Sequence, residues 1–229
     1  MDSSRSYKGL FFVRILNMLI GLVFYALGIV LLLKANIGYA PWEVFHVGLA
    51  NTLGMSIGVA SIIAGLAIVL AVTILGEKFG FGTIASMILT GIFIDIFLAI
   101  DIIPVSSIFA VGLAMLTIGM FAISLGSYFY IKSALGVGPR DNLMVVLARK
   151  TRLPVGVCRG AVEIIVTVIG YALGGMVGVG TIASAIAIGF CVQLTFKALK
   201  FDVTAVRHET IAGTCKALAE KKQGKRKIT

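Results

Sequence analysis

Two acidic residues follow prolines in two similar stretches of this chain. The stretch "IGYAPWEVFHVGLA" places Glu43 two residues after Pro41, and "LGVGPRDNLMVVLA" places Asp141 two residues after Pro139. Proline suits the first position of a helix, where its missing N–H would have no intrahelical partner. Each carboxylate is therefore expected in the first turn of a helix. There it either stabilises the helix start or binds a cation or a proton.

The residues between proline and acid differ, with Trp42 in the first stretch and Arg140 in the second. Unlike neighbours at matching positions favour one shared site built from two different halves. Taken alone, Trp42 is also typical of an anchor at the membrane interface, and Arg140 of a cytosolic positive charge.

Other polar residues fall inside long apolar stretches. Arg159 and Glu163 are four residues apart on one helix face, as a binding pair or a structural ion pair. Glu163 lies near the middle of its apolar stretch. A charge near the bilayer centre costs at least about 2.5 kcal/mol of insertion free energy, so such a residue is a functional candidate. Asp95, with Gln193 at the matching position of the second half, predicts either a ligand group or a packing hydrogen bond.

The elements that carry these residues must be membrane helices. The chain is 59% hydrophobic and 13% charged, against about a quarter charged in soluble domains. A bilayer crossing needs about 20 apolar residues. Six stretches are long enough, and we predict an all-α transmembrane protein whose spans cover residues 11–33, 57–75, 82–100, 107–131, 155–173 and 179–199.

The chain is an internal duplication. An offset of 98 residues aligns it with itself without a gap, most clearly where "GFGTIAS" at 80–86 meets "GVGTIAS" at 178–184. We predict an N-terminal repeat at 1–102, a C-terminal repeat at 103–201 and a basic tail at 202–229. The Gly/Pro breaks at Gly38 and Pro41, and at Gly138 and Pro139, form the structural corners.

Each break precedes a segment of about a dozen residues, too short to cross a bilayer. We interpret these segments as half-helices that enter the membrane without crossing it. Three crossings per repeat make the repeats inverted, a 3+3 arrangement. The rival interpretation lets the half-helices cross, which gives eight spans and parallel repeats.

The basic residues predict the orientation. Of the 20 Lys and Arg residues, nine lie from Lys197 onward, which predicts a cytosolic C-terminus. Because the predicted number of crossings is even, the N-terminus is expected in the cytosol as well. The tail is a candidate contact for anionic lipid headgroups, and the net charge of +10 is no evidence for nucleic-acid binding. The spacing of Cys, His and acidic residues indicates no metal, no cofactor and no enzyme active site.

The doubled corner and the G-x-G-T runs resemble the YczE-type bacterial membrane proteins, relatives of the YitT-like group. The resemblance covers residues 10–200 and implies a multi-pass plasma-membrane protein, without a substrate to carry over. Broken segments at matching positions of two repeats are typical of a transporter's binding site. We therefore predict a small-molecule secondary transporter or permease. The alternative is a scaffold supporting a partner enzyme, and homodimerisation stays open.

Overall fold

The computed structural model describes residues 3–77, 79–136 and 138–202, with side chains from residue 11 onward. Those residues form eight helices and no strand. The helices are α1 (Ser3–Lys34), α2 (Pro41–Leu53), α3 (Ile57–Ile74), α4 (Phe81–Ile100), α5 (Phe109–Lys132), α6 (Pro139–Thr151), α7 (Val155–Ala172) and α8 (Val179–Ala198). The predicted basic tail lies outside the described residues from residue 203 onward.

The all-α transmembrane fold is confirmed. Six helices are long and apolar enough to cross a membrane, and their bounds agree with the predicted spans to within two residues. The other two, α2 and α6, have 13 residues each, about 20 Å of helix, which is less than the hydrocarbon core. Large apolar side chains such as Ile74, Phe81 and Phe190 face outward, as a lipid-facing surface requires.

The backbone repeats with the same offset of 98 residues as the sequence. Backbone conformations with positive φ occur in equivalent pairs, including one pair without glycine and one in which only one member is glycine. The pairs are Asn36 with Ala134, Gly38 with Gly136, Gly54 with Arg152, and Gly76 with Gly174. The two halves therefore share their turns even where the side chains differ.

The first helices of the two repeats, α1 and α5, pack closely through four glycines. Gly21 lies against Gly126 and Gly28 against Gly119, so closely that a Cβ atom on Gly21 would come within 2.7 Å of the Gly126 carbonyl oxygen. Residue numbers rise along α1 as they fall along α5, so the helices are antiparallel. Antiparallel packing of equivalent helices is the geometry that an inverted repeat requires.

Two ion pairs bear on the number of crossings. Lys34 pairs with Asp101, and Glu77 pairs with Arg149. Six crossings place the members of each pair on the same side of the membrane. Eight crossings would place them on opposite sides, where an ion pair cannot form. The pairing also gives a partner to Lys34, a basic residue at the end of α1, on the side of the membrane opposite the N-terminus.

The G-x-G-T runs hold the corners of the opposite repeat. The amide of Gly180, at the start of α8, donates a hydrogen bond of 2.7 Å to the carbonyl of Ile37. Its equivalent, Gly82 at the start of α4, donates one of 3.0 Å to Leu135. Each corner is thus fastened by the last helix of the other repeat, and the glycines allow the backbones to approach.

The repeats differ at one packing contact. Helices α3 and α4 touch at Gly58 and Gly91, and Asp95 accepts hydrogen bonds from the Gly58 amide at 2.8 Å and the Ser56 hydroxyl at 2.5 Å. At the equivalent Gly156 and Gly189, a Cβ atom would meet no atom within 4 Å. Among the described residues, α7 and α8 form no comparable contact. The second repeat is therefore open where the first is closed.

This difference predicts opposite responses to the same substitution at equivalent positions. Gly58→Leu should lower the free energy of unfolding by about 1–3 kcal/mol, because its side chain would collide with the Gly91 carbonyl and the Asp95 carboxylate. Gly156→Leu should be tolerated, because that position faces open space. Thermal denaturation of both purified variants measures the difference, and equal losses would contradict the observed asymmetry.

Candidate binding site between the two corners

The two proline corners face each other inside the bundle. The guanidinium carbon of Arg140, on α6, lies 4.8 Å from the centroid of the Trp42 ring, on α2. These residues occupy equivalent positions, 98 residues apart, so their contact lies where the two repeats meet. The unlike neighbours of the two prolines are thus in direct contact.

Arg140 is surrounded by polar groups of the opposite half-helix. Its Nη1 lies 3.5 Å from Glu43 Oε1, and its Nη2 lies 3.4 Å from His46 Nε2. Glu43 is 4% exposed and His46 1%. The first two turns of α2 therefore present a buried carboxylate, an imidazole and an indole ring to one guanidinium.

A second ion pair lies on α7. Arg159 Nε donates a hydrogen bond of 2.9 Å to Glu163 Oε1, across one turn of the helix. Glu163 is buried, whereas the Arg159 side chain is 39% exposed. The pair that the sequence places on one helix face is therefore formed, and its carboxylate points into the bundle.

Two cavities flank the contact between Trp42 and Arg140. One, the acidic cavity, measures about 560 Å³ including its mouth, and the other, the hydroxyl cavity, about 640 Å³. Both are bordered by Tyr25, Arg140 and Asp141. The other polar residues of the acidic cavity are Trp42, Glu43, Arg159, Glu163 and Ser184, and those of the hydroxyl cavity are His46, Ser61, Ser86, Thr90, Ser127 and Tyr130.

The cavities occupy equivalent places in the two repeats. Ser86 in the hydroxyl cavity corresponds to Ser184 in the acidic one, and each hydroxyl donates to a threonine carbonyl one turn earlier. Elsewhere the chemistry diverges. Tyr130 corresponds to Leu32, and Ser61 to Arg159. The duplication has thus produced one compartment with five charged side chains and one lined mainly by hydroxyl groups, which shares only Arg140 and Asp141 as its charged side chains.

The Tyr130 hydroxyl is buried without a hydrogen-bond partner among the described residues. The residue is 6% exposed and lines the hydroxyl cavity. A Cβ atom placed on Gly138 would lie 3.4 Å from both this hydroxyl and Asp141 Oδ2. The Ser86 side chain lies near this hydroxyl without forming a hydrogen bond of ordinary length. Because a buried polar group without a full hydrogen bond is costly, the hydroxyl is a candidate ligand contact.

Most of the predicted binding residues lie together. Six of them line the acidic cavity: Trp42, Glu43, Arg140, Asp141, Arg159 and Glu163. Asp95 and Gln193 line neither cavity. Asp95 instead binds the start of α3, and Gln193 is exposed on α8.

The predicted corner residues divide by role. Pro41, Gly138 and Pro139 line the cavities, whereas Gly38 packs against Gly178 at the start of α8.

Sequence reasoning missed three residues at the site: Tyr25, His46 and Tyr130. His46 carried a usable signal, because it lies one turn after Glu43 on the same helix face. Tyr130 carried none, since tyrosine near the end of a span is also typical of an interfacial residue. Tyr25 lies in the middle of the first span, where a buried hydroxyl needs a partner, and that position was a usable signal.

Comparison with known proteins places the chain in a family. Residues 12–197 match the family described as "Family of unknown function (DUF6198)". The chain belongs to this family. It is 32% identical over 177 residues to the "Uncharacterized membrane protein YczE" of Bacillus subtilis (strain 168), covering 76% of this chain and 81% of the relative.

A second relative is an "Uncharacterized protein" of Haemophilus influenzae, 33% identical over 163 residues, or 71% of this chain and 74% of the relative. No solved structure matches the chain. The comparisons therefore support a multi-pass membrane protein, as expected from the sequence.

The unpaired tyrosine predicts a distinctive stability effect. Tyr130→Phe should leave the free energy of unfolding unchanged or raise it by up to about 1–3 kcal/mol, because it removes an unsatisfied buried group. Ser133→Ala is the contrasting variant, since the Ser133 hydroxyl donates a bond of 2.6 Å to the Tyr130 carbonyl. It should cost about 1 kcal/mol. Thermal denaturation of both variants provides the comparison, and a large loss for Tyr130→Phe would mean that the hydroxyl is bonded within the protein.

Proposed function

We propose that this protein is a secondary transporter or permease for a small molecule, with its binding site between the two corners. The observation that carries the proposal is the contact between Trp42 and Arg140. It brings together two broken helices from equivalent positions of two repeats, the arrangement in which transporters bind substrate. The cavities on either side supply room for a ligand.

The charges of the site favour a cationic or a proton-coupled substrate. Three carboxylates, Glu43, Asp141 and Glu163, face two guanidinium groups, those of Arg140 and Arg159. With His46 neutral, the site carries one net negative charge. Broken backbone at this depth must also line protein or water rather than lipid, which suits a wet binding cavity.

The asymmetry of the repeats supports alternating access. In this mechanism the inverted repeats exchange their conformations, so the contact closed in one repeat is open in the other. Here α3 packs on α4, and the equivalent α7 and α8 stay apart. Gly156 lies on the same side of the membrane as the Glu77–Arg149 pair. The distribution of basic residues indicates that this is the cytosolic side, so the open contact would face the cytosol. The protein would reside in the bacterial plasma membrane with both termini inside.

Neutralising the site carboxylates tests transport directly. The protein would be reconstituted in proteoliposomes adsorbed on a solid-supported membrane. A rapid increase in the concentration of tetramethylammonium or of acetate should reveal which ion produces a saturable transport current. Glu163→Gln and Asp141→Asn should each reduce that current at least about tenfold, because each removes a charge from the site: Glu163 is buried, and Asp141, although exposed, borders both cavities. Glu77→Gln is the matched control, since its carboxylate pairs with Arg149 away from both cavities.

The scaffold alternative predicts a different outcome. A protein that only supports a partner enzyme would give no saturable current with either ion, and neutral substitutions at Glu163 and Asp141 would leave its biological effect intact. Size-exclusion profiles of the variants establish that any loss comes from the site and not from unfolding.

The packing asymmetry gives a second test of the mechanism. If α7 closes on α8 as α3 closes on α4, then Gly156→Leu should block that closure and abolish the current while the protein stays folded. Gly160→Ile is the control, because the equivalent position in the closed repeat already holds Ile62. Normal flux through Gly156→Leu would refute an exchange of conformations between the repeats.

A further inference from the structure

We propose that the acidic cavity binds an organic cation, which replaces the Arg140 guanidinium on the Trp42 ring and beside Glu43. The inference deepens the proposed function by naming the substrate class of the same site. Arg140 would act as a tethered competitor that occupies the cation position when no substrate is bound.

Arg140 occupies that position loosely. Its distance of 3.5 Å to Glu43 exceeds the 2.7–2.9 Å of a well-formed bond between a guanidinium and a carboxylate. Both distances to the His46 ring nitrogens are also long, at 3.4 and 3.5 Å. By contrast, the Arg159–Glu163 bond measures 2.9 Å. The geometry of Arg140 therefore suits a group that can be displaced.

The two groups in contact with Arg140, the Trp42 ring and the Glu43 carboxylate, are suited to binding an organic cation. Trp42 is 8% exposed and Glu43 is 4% exposed, so both are largely shielded from water. A cation over an aromatic face gains most when it is desolvated, and aromatic rings recognise quaternary ammonium groups in this way. A metal ion is a poorer match, because among the described residues no three Asp, Glu, His or Cys side chains cluster as ligands.

Displacement of Arg140 would also join the two cavities. Arg140 borders both, together with Tyr25 and Asp141. The hydroxyl cavity contains Tyr130, whose buried hydroxyl has no partner among the described residues. That hydroxyl can donate to an oxygen of the ligand. The preferred ligand is thus an organic cation that also carries a hydrogen-bond acceptor.

An anionic substrate fits the arrangement less well. Each guanidinium of the site already faces a carboxylate, Arg140 with Glu43 and Arg159 with Glu163. An anion would have to separate one of these pairs and leave a carboxylate buried without its partner, which is costly. A cation that displaces Arg140 takes over its contacts with Glu43 and Trp42.

The chain offers a built-in probe, because Trp42 is its only tryptophan. Intrinsic fluorescence of the purified full-length protein in nanodiscs would be titrated with tetramethylammonium chloride and with choline chloride, against sodium chloride at equal ionic strength. We expect a saturable change with both organic cations and none with sodium. The apparent Kd for choline should be the lower of the two in the wild type, and equal to that for tetramethylammonium in Tyr130→Phe.

Substitution of Arg140 separates the two substrate classes. Arg140→Gln should lower the apparent Kd for tetramethylammonium at least about threefold, because a competing cation is removed from the ring. Glu43→Gln should raise it about tenfold. Lys150→Gln, which removes a positive charge from an exposed position on the same half-helix, should leave it unchanged.

Three results would overturn the inference: no response to either organic cation in wild type and Arg140→Gln alike, weaker binding in Arg140→Gln, or a saturable response to sodium acetate that depends on Arg140. Arg140→Lys, which keeps the charge, substitutes if Arg140→Gln does not elute as a folded species. In Arg140→Lys the lysine ammonium should still compete with tetramethylammonium, so the apparent Kd should not fall as it does in Arg140→Gln. The fluorescence titration measures binding independently of transport. If organic cations bind but produce no current, the proposed transport function is refuted and the proposed cation site is retained.

Discussion

The whole structure depends on a constraint that the bilayer imposes on two interrupted stretches of backbone. Where the chain breaks at Gly38 and Gly136, its amides and carbonyls leave the helix and must find partners inside the protein. The partners come from the opposite repeat. Gly180 bonds to Ile37, and Gly82 bonds to Leu135. Neither half can therefore form its corner alone.

The glycines follow from the same constraint. The N-terminus of a helix from the other repeat can approach a corner only where no side chain separates the two backbones, as between Gly38 and Gly178. The α1–α5 contact obeys this rule across a longer interface, where Gly28 and Gly119 allow the helices to approach. Close backbone packing replaces the hydrophobic driving force that lipid does not supply between helices.

The same duplication that builds the scaffold leaves freedom in the side chains. Equivalent positions keep Pro41 with Pro139 and Ser86 with Ser184, which maintain the corners and the cavity walls. Other positions that face the cavities differ between the repeats, so that Trp42 meets Arg140. Symmetry of the backbone and asymmetry of the lining together yield a single site with two distinct compartments.

By itself, the sequence determined the spans, the duplication and the two corners. Continuous apolar stretches, the repeat offset and proline are local signals that lipid and backbone geometry enforce. It also led to the expectation that Trp42, Glu43, Arg140 and Asp141 share one site, because broken segments at matching positions of two repeats typically line a common cavity. Only the tertiary structure decided which polar residues face the cavity. Asp95 and Glu163 look alike within their spans, yet Asp95 binds the start of α3. Helix rotation and neighbours, which are non-local, make that difference, and they also expose the opening between α7 and α8.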